Sequence, residues 1–214
     1  MQTPSRKVIT ECARGRHEAG IFACELGNLH VVQIELPECT IRSWQWEDAP
    51  SLAASANNRN VWLTLRDRMP HPYALADAHN YLRARLAEPT QPVFCIDRAG
   101  EAIGGIGLHL GSDVMRLTAE LGYWLAEPFW GCGIMTAAVR AVVRYGFESQ
   151  PIERVEAYVF SNNPASVRVV EKAQFSFEGR LRRSVIKDGQ ILDSLLFARL
   201  RGDPVAETPG GGSL

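Results

Sequence analysis

Trp130-Gly131-Cys132-Gly133-Ile134-Met135-Thr136 is the most informative segment of the chain, because it joins a predicted strand to the longest helical pattern. Its two glycines lie two residues apart, so the backbone can turn tightly and point several N–H groups at one place. The positive end of the helix dipole adds to those donors. The segment therefore predicts an anion site suited to a pyrophosphate, although a Gly-x-Gly pair alone is more often an ordinary turn.

Two common phosphate-binding motifs do not fit this segment. A Walker loop requires Gly-Lys followed by Ser or Thr, whereas Ile134 follows the second glycine here. A dinucleotide fingerprint requires a third glycine, where this chain has Thr136, and a preceding βαβ unit. Nucleotide hydrolysis and nicotinamide binding are therefore both disfavoured.

Strand and helix patterns alternate on both sides of the segment. Three strands joined by hairpin-like turns precede it, at 92–97, 102–110 and 117–126. A helix with apolar residues at steps of three and four follows, then a strand at 155–160, a second helix and two closing strands. This order predicts an α+β fold in which hairpin-linked strands lead into a β-α-β-α-β segment.

The ends of the chain differ from this central part. Residues 1–36 are predicted to form an N-terminal extension with a β-hairpin around Gly27-Asn28. Residues 37–202 are predicted to form one domain, and residues 203–214, rich in Pro and Gly, a flexible tail.

The composition indicates a single globular core and disfavours several functions. Hydrophobic residues make up 46% of 214, and 23 basic against 24 acidic residues give a net charge of −1, which offers no basic field for nucleic acid. No apolar run approaches the ~20 residues of a membrane helix, and no apolar segment follows the basic N-terminal residues as in a secretory signal. Five widely spaced cysteines without a C-x-x-C pair predict reduced thiols and no metal site. We therefore expect a cytoplasmic protein without nucleic-acid or membrane partners.

Several blocks of sequence resemble the GNAT acetyltransferase superfamily and, within it, the RimJ/RimL branch, which acetylates protein N-termini and other small amines. The blocks follow the family's order and spacing over roughly residues 38–201. The resemblance implies the GNAT fold, with a mixed, mostly antiparallel central sheet that is splayed at the cofactor site and flanked by about four helices. The blocks are 120–125, 129–138, 154–157, 162–175 and 177–179.

The resemblance also implies acetyl-CoA as co-substrate. Trp124, Leu125 and Ala126 would pair their backbone with the pantetheine arm, and Asn163 would hydrogen-bond it. Lys172, or Arg168 one turn before it, would meet the adenosine phosphates unless both only form a solvated face. The residues that would hold the pyrophosphate are Trp130, Gly131, Cys132, Gly133, Ile134, Met135 and Thr136.

This chain departs from the family pattern at two places. Met135 stands where the glycine loop usually ends with Gly or Ala, and Ala173 stands where the second helix usually ends with Gly. Ala costs some energy in a left-handed cap, so this helix is expected to end with another geometry. Neither change removes a hydrogen-bond donor that the co-substrate needs.

Two side chains are the catalytic candidates. Glu120 is the candidate general base, directly or through a water, and the alternative is a surface or network glutamate. Ser166 is the candidate donor to the departing sulfur, and the alternative is a serine that satisfies the start of its helix. The backbone N–H of Leu125 is a candidate oxyanion donor. An acyl-cysteine at Cys95 or Cys132 is disfavoured, because no histidine is placed to activate either thiol.

The acceptor pocket is expected in the segments 57–62 and 69–73, which combine polar and aromatic residues. Segments of this kind are typical of functional loops and also of well-packed irregular ones. The candidate substrate contacts are Asn60, Trp62 and Tyr73.

Further charged residues in this half of the chain are open to two interpretations. Arg59, Arg66 and Arg68 either favour an acceptor that carries a carboxylate or are simply solvated. His79 and His109 are interpreted as structural or surface residues. No metal ligand set is predicted.

The predicted function is an acetyl-CoA-dependent N-acetyltransferase that acts on a primary amine by direct attack of the amine on the thioester. The amine belongs either to a protein N-terminus or to a small molecule, and the acyl chain length stays open. The alternative is a non-catalytic acyl-CoA-binding sensor or subunit with the same fold. A homodimer is compatible with the resemblance, because the family often forms dimers.

Overall fold

A single sheet of nine strands runs through the computed structural model, which describes residues 21–26, 29–88 and 91–204. The strands are β1 (Ile21–Leu26), β2 (Leu29–Glu35), β3 (Thr40–Ser43), β4 (Val93–Arg98), β5 (Glu101–Leu110), β6 (Thr118–Leu125), β7 (Arg154–Phe160), β8 (Ser176–Lys187) and β9 (Gln190–Leu200). Their spatial order is β1-β2-β3-β4-β5-β6-β7-β9-β8. Only the β6–β7 pair is parallel, so the predicted mixed, mostly antiparallel sheet is confirmed.

Five α-helices flank this sheet in the described part of the chain. They are α1 (Ala49–Ala56), α2 (Arg59–Trp62), α3 (Leu75–Ala87), α4 (Ile134–Ser149) and α5 (Pro164–Lys172). The sequence predicted a loop where the single turn α2 lies. The turn forms because the side chain of Asn58 caps it, accepting from the N–H groups of Asn60 and Val61. Among the described residues, no helix is long and apolar enough to cross a membrane.

Two apolar clusters cover the two faces of the sheet. In β4, Phe94 and Ile96 belong to one cluster together with residues of α4, whereas Cys95 between them belongs to the other, together with residues of α1 and α3. Successive side chains of a strand point to opposite faces, so the helices lie on both sides of the sheet. The side chains of Cys95 and Ile96 are completely buried.

The parallel pair β6–β7 is short. Thr118–Glu120 pair with Arg154–Glu156, yet β6 continues to Leu125 and β7 to Phe160. Each strand keeps its other neighbour over this length, since β6 stays paired with β5 and β7 with β9. The two strands therefore diverge after Glu120, which is the splay that the family resemblance implied.

The N-terminal strands extend this sheet. β1 and β2 form an antiparallel hairpin, and β2 joins the sheet through β3, where Gln33–Glu35 pair with Thr40–Arg42. The boundary at residue 36 between extension and domain stays a prediction. Residues 1–20 of the extension, its turn at 27–28 and residues 205–214 of the predicted tail lie outside the described residues.

The helix α5 ends without a glycine. Its C-cap residue Ala173 has φ −83°, and the left-handed conformation is taken one residue later by Gln174, with φ 68°. Phe175 N donates to Val170 O at 3.0 Å and closes the helix end. Ala173 therefore avoids the energetic cost of a left-handed cap, as expected from its sequence.

Gly104 allows a close approach of β5 and β6. A Cβ atom there would lie 2.5 Å from Trp124 O, a backbone atom that can only move with β6. We predict that Gly104→Ala lowers the free energy of unfolding by about 1–3 kcal/mol, as overpacking does elsewhere. The measurement is urea unfolding followed by circular dichroism.

The control for this substitution is Gly179→Ala in β8, where an added Cβ meets no atom within 4 Å. Its effect is expected to stay within about 0.5 kcal/mol. Equal effects of the two substitutions would contradict the close approach at Gly104.

Candidate active site

A cleft of about 1190 Å³ opens where β6 and β7 part. β6, the loop before α4, the start of α5 and the segment 60–73 all contribute to its wall. Ala126, Cys132 and Trp62 were predicted as site residues and are not part of this wall. The predicted site residues that line it are Asn60, Tyr73, Glu120, Trp124, Leu125, Trp130, Gly131, Gly133, Ile134, Met135, Thr136, Asn163, Ser166 and Lys172.

The direction of the backbone groups in β6 follows from its pairing with β5. Ala126 N donates to Ile103 O at 2.8 Å, and Gly111 N donates to Thr118 O at 2.8 Å. Because antiparallel pairing alternates along a strand, every second residue from Thr118 to Ala126 turns its N–H and C=O toward β5. The residues between them turn theirs toward β7, to which Ala119 is still paired, and those after Glu120 turn theirs toward the gap.

This alternation corrects one part of the sequence prediction. Trp124 and Ala126 use their backbone groups within the sheet, so of the three predicted pantetheine contacts only Leu125 presents its N–H to the gap. Leu121 and Tyr123 lie in the same phase as Leu125. The carbonyl oxygen of Leu125 already accepts a hydrogen bond from the Trp130 indole N–H at 2.7 Å, so only its N–H is available to a ligand.

The loop before α4 presents a set of unpaired donors. Gly131 and Gly133 have φ 77° and 80°, a left-handed conformation that favours glycine. The N–H of Ala137 donates to Gly133 O at 3.1 Å, and no side chain from the described part of the chain caps this end of α4. The N–H groups of the first three helical residues therefore lack helical acceptors, and all three residues line the cleft. Such donors fit the anionic pyrophosphate of a coenzyme A derivative.

Ser166 lies beside a tyrosine that the sequence did not single out. Ser166 Oγ is 2.6 Å from the Tyr123 hydroxyl, and Asn163 Oδ1 accepts from Ser166 N at 3.0 Å. Burial raises the pKa of Tyr123 to about 12, although the hydrogen bond to Ser166 lowers it. Tyr123 therefore stays protonated near neutral pH, and the pair holds a hydroxyl proton at the cleft. The sequence held one signal for Tyr123, namely its position in β6 two residues before Leu125.

Glu120 stands at the last paired position of β6, directly before the strands diverge. Its carboxylate forms an ion pair with Arg66, at 2.5 Å between Oε1 and NH2. Its side chain is 29% exposed, so it is reachable from the cleft while held in one direction.

His109, which the sequence analysis interpreted as a structural or surface residue, lines the cleft. It is the cross-strand partner of Glu120, and its Nε2 lies 3.2 Å from NH2 of Arg68. Burial lowers the pKa of His109, and the charges of Arg68, Arg85 and Arg66 lower it further. The imidazole is therefore neutral near pH 7, with Nε2 as the acceptor toward Arg68.

The predicted acceptor residues have different surroundings. Asn60 Nδ2 donates to Glu127 Oε1 at 2.9 Å. The Tyr73 side chain is buried in the wall of the cleft, and burial raises the pKa of its hydroxyl to about 12. Trp62 instead has a structural position, because its ring stacks on His71 with centroids 5.7 Å apart.

Lys187 ties this acceptor segment to the hairpin β8–β9. Its Nζ lies 2.6 Å from Asp67 Oδ1 and 3.6 Å from the centroid of the Trp62 ring, and its side chain is 2% exposed. Next to it, Arg59 and Asp188 form an ion pair at 2.6 Å. The C-terminal hairpin therefore holds the segment 59–67 in place.

The three cysteines whose side chains the structure describes, Cys39, Cys95 and Cys132, do not form a reactive centre. Burial raises the pKa of Cys39 to about 11 and also raises the pKa of Cys95. Cys132 is exposed, and its Sγ contacts Trp130 O at 3.6 Å. Within the described residues, His, Cys, Asp and Glu side chains form no group that could hold a metal ion.

Comparison with known proteins agrees with this fold and cleft. The model of the acetyltransferase (GNAT) domain matches residues 38–176. The chain therefore belongs to the GNAT acetyltransferase family.

Individual relatives match parts of the chain. The probable N-acetyltransferase YjcK of Bacillus subtilis is 44% identical over 86 residues, which are 40% of this chain and 48% of that protein. The putative ribosomal N-acetyltransferase YdaF of Bacillus subtilis is 35% identical over 102 residues, 48% of this chain and 55% of that protein. The chain thus spans about half the length of these curated relatives.

A solved structure covers more of the fold. The ribosomal-protein-S5-alanine acetyltransferase from Vibrio fischeri superposes with a TM-score of 0.72, over 80% of this chain and 98% of that one. Its sequence identity is 20%, so the likeness is one of fold.

The lowered pKa of His109 predicts a pH dependence of stability. In the unfolded chain a histidine has a pKa of about 6.5, whereas folded His109 binds its proton only at lower pH. Below about pH 6.5 the unfolded state binds more protons, so this group makes the free energy of unfolding fall as pH falls. Above that pH both states are neutral, and the contribution is constant.

His109→Gln removes this contribution. Urea unfolding of both proteins at about pH 5 to 8 should show that the natural protein loses stability relative to the variant as the pH falls. A difference between the two proteins that does not change with pH would contradict the lowered pKa.

Proposed function

We propose that this protein is an acetyl-CoA-dependent N-acetyltransferase that transfers the acetyl group to a primary amine by direct attack on the thioester. The observation that carries the proposal is the divergence of β6 and β7 after Glu120, beside a glycine loop with free N–H groups. The gap supplies backbone partners for an extended arm, and the loop supplies an anion site. Relatives described as N-acetyltransferases support the same activity.

Acetyl-CoA supplies an activated acyl group as a thioester. Leu121 and Tyr123 would bind its extended arm through backbone groups that face the gap, and the Leu125 N–H would lie at the thioester end of that arm. The loop 131–133 and the first turn of α4 would bind its pyrophosphate. Lys172 lies in the cleft wall at the end of α5, where its ammonium can meet further phosphate groups.

Glu120 is the residue that we assign to proton transfer from the amine. An acceptor amine is protonated at neutral pH and must lose a proton before it attacks. Arg66 holds Oε1 of Glu120, which leaves Oε2 free to accept that proton directly or through a water.

Two further groups stabilise charge that develops during the transfer. The N–H of Leu125 faces the gap, where it can donate to a carbonyl oxygen that becomes negative. The hydroxyl pair of Tyr123 and Ser166 can give a proton to the departing sulfur. A thiol has a pKa of about 8.5, so this step needs only modest assistance.

The wider setting of the protein follows from its composition. We place the protein in the cytoplasm and expect neither nucleic-acid nor membrane partners, in line with its net charge of −1. The homodimer stays a prediction. A non-catalytic sensor would bind acyl-CoA without using Glu120, and the experiments below separate the two functions.

Gly131→Val is predicted to abolish most acetyl-CoA binding. A β-branched residue disfavours the φ of 77° found at Gly131, so the loop must turn its N–H groups away from the cleft. At 100 times its dissociation constant a ligand adds about 2.7 kcal/mol of stability, or about 5 to 10 °C in melting temperature at this size. We expect that shift for the natural protein and for Gly179→Ala, and its loss in Gly131→Val. An unchanged shift in Gly131→Val would show that the loop does not bind the ligand.

Glu120→Gln is predicted to reduce acetyl transfer about 100- to 10,000-fold, because the amide cannot accept a proton. The acetyl-CoA melting shift should be retained. Release of the coenzyme A thiol, measured with a panel of primary amines, reports the rate. Glu148→Gln is the control, since Glu148 is an exposed carboxylate on α4. Full activity in Glu120→Gln would remove Glu120 from catalysis. If the natural protein releases no thiol with any amine of the panel but keeps the melting shift, the result favours the sensor.

A further inference from the structure

Three arginines line the acceptor end of the cleft, namely Arg66, Arg68 and Arg85. Arg66 is paired with Glu120. Arg68 and Arg85 differ from it, because no carboxylate of the described residues lies within 4.0 Å of either guanidinium. Two cations therefore face the cleft without a counter-charge from the described part of the chain.

The nearby carboxylates are engaged elsewhere. Asp67 lies between Arg66 and Arg68 in sequence, but its Oδ1 binds Lys187 at 2.6 Å. Asp77 also lines the cleft, and its Oδ2 accepts from Ala74 N at 2.8 Å, where it fixes the start of α3. The positive charge of this end of the cleft is thus left for a ligand.

Arg68 and Arg85 converge on one space. Both cations lower the pKa of His109 on β5, and both oppose the rise that burial causes in the pKa of Tyr81 on α3. A charge acts on a titratable group in this way only when it lies near that group. The distances agree, because Arg68 NH2 lies 3.2 Å from His109 Nε2 and the Arg85 guanidinium lies 5.9 Å from the centroid of the Tyr81 ring.

Arg85 also holds an unsatisfied donor. Its Nε is buried and has no hydrogen-bond partner in the structure, and its guanidinium lies 5.9 Å from the centroid of the Tyr81 ring. A buried N–H of a charged group is costly when it stays unpaired. An anionic oxygen at this place would satisfy it.

This space is close to the base of the proposed reaction. His109, which contacts Arg68, is the cross-strand partner of Glu120 in β6. Cα atoms of such a pair lie about 5.5 Å apart, so the two cations and the Glu120 carboxylate face neighbouring positions. An α-amino acid carries its amine and its carboxylate on the same carbon atom, which suits that short separation.

We propose that Arg68 and Arg85 bind a carboxylate of the acceptor, and that the acceptor is an α-amino acid, or a small derivative of one, with a free carboxylate. Guanidinium groups bind carboxylates through paired, charge-assisted hydrogen bonds. This inference rests on the proposed function, because it places the acceptor's amine at Glu120.

The test compares L-α-amino acids with their carboxamides in the thiol-release assay. The natural protein should use the free acids with a kcat/KM about 10- to 100-fold higher, the range expected for hydrogen bonds to a charged group. Arg68→Gln and Arg85→Gln should each remove this preference, mainly by raising KM for the acids while leaving the amides unchanged. Arg83→Gln is the matched control, since Arg83 is exposed on the same helix as Arg85.

A binding measurement keeps the inference separate from the proposed function. Calorimetry with protein saturated in coenzyme A should detect the free acids and not the amides, and Arg85→Gln should lose that binding. If this pattern appears without any turnover, the carboxylate site stands and the acetyltransferase function fails. If the protein binds and acetylates amides, or peptides with a remote carboxylate, with the same efficiency as the free acids, the carboxylate site is wrong and the acetyltransferase function stands.

Discussion

The early end of the parallel pairing between β6 and β7 is the constraint on which the rest of the site depends. Each strand keeps an antiparallel partner on its other side, so the divergence after Glu120 opens one gap without breaking the sheet. Backbone groups in this gap need partners, because unpaired buried donors and acceptors are costly. Two further sets of donors line the gap. One is the loop before α4, and the other is the pair formed by Tyr123 of β6 and Ser166 of α5.

The order of strands and helices could be predicted from local patterns, because each element has its own hydrophobic period and its own turn or cap residues. The glycine loop was identified for the same reason. The backbone phase of β6 could not be obtained in this way, so Trp124 and Ala126 were predicted as backbone contacts of the pantetheine arm, although only Leu125 among the three faces the gap. A shift of one residue reverses that phase, and only the pairing with β5 determines it.

The residues that sequence reasoning missed depend on long-range packing. Tyr123 meets Ser166 across 43 residues, and His109 meets Arg68 across 41. Arg85 reaches the cleft only because α3 packs on the same face of the sheet as α1. The sequence did indicate that arginines near residues 59–68 could serve an acidic acceptor, but which of them are already neutralised is decided by partners such as Asp188 and Glu120.

The contact between Lys187 and Asp67 fixes one wall of the cleft to a hairpin that is distant in sequence. The coenzyme side of the cleft is formed by one continuous stretch from β6 to α5, whereas the opposite wall is formed by residues near 60–73 and is held by a hairpin that follows 120 residues later. Arg66 is the point of contact between the two parts, because it pairs with Glu120. Other substitutions in that wall and its hairpin can reshape the pocket without touching the residues proposed to bind the acyl donor. A fold of this kind lets evolution, or a protein engineer, alter the acceptor wall while the glycine loop and the strands β6 and β7 keep their sequence.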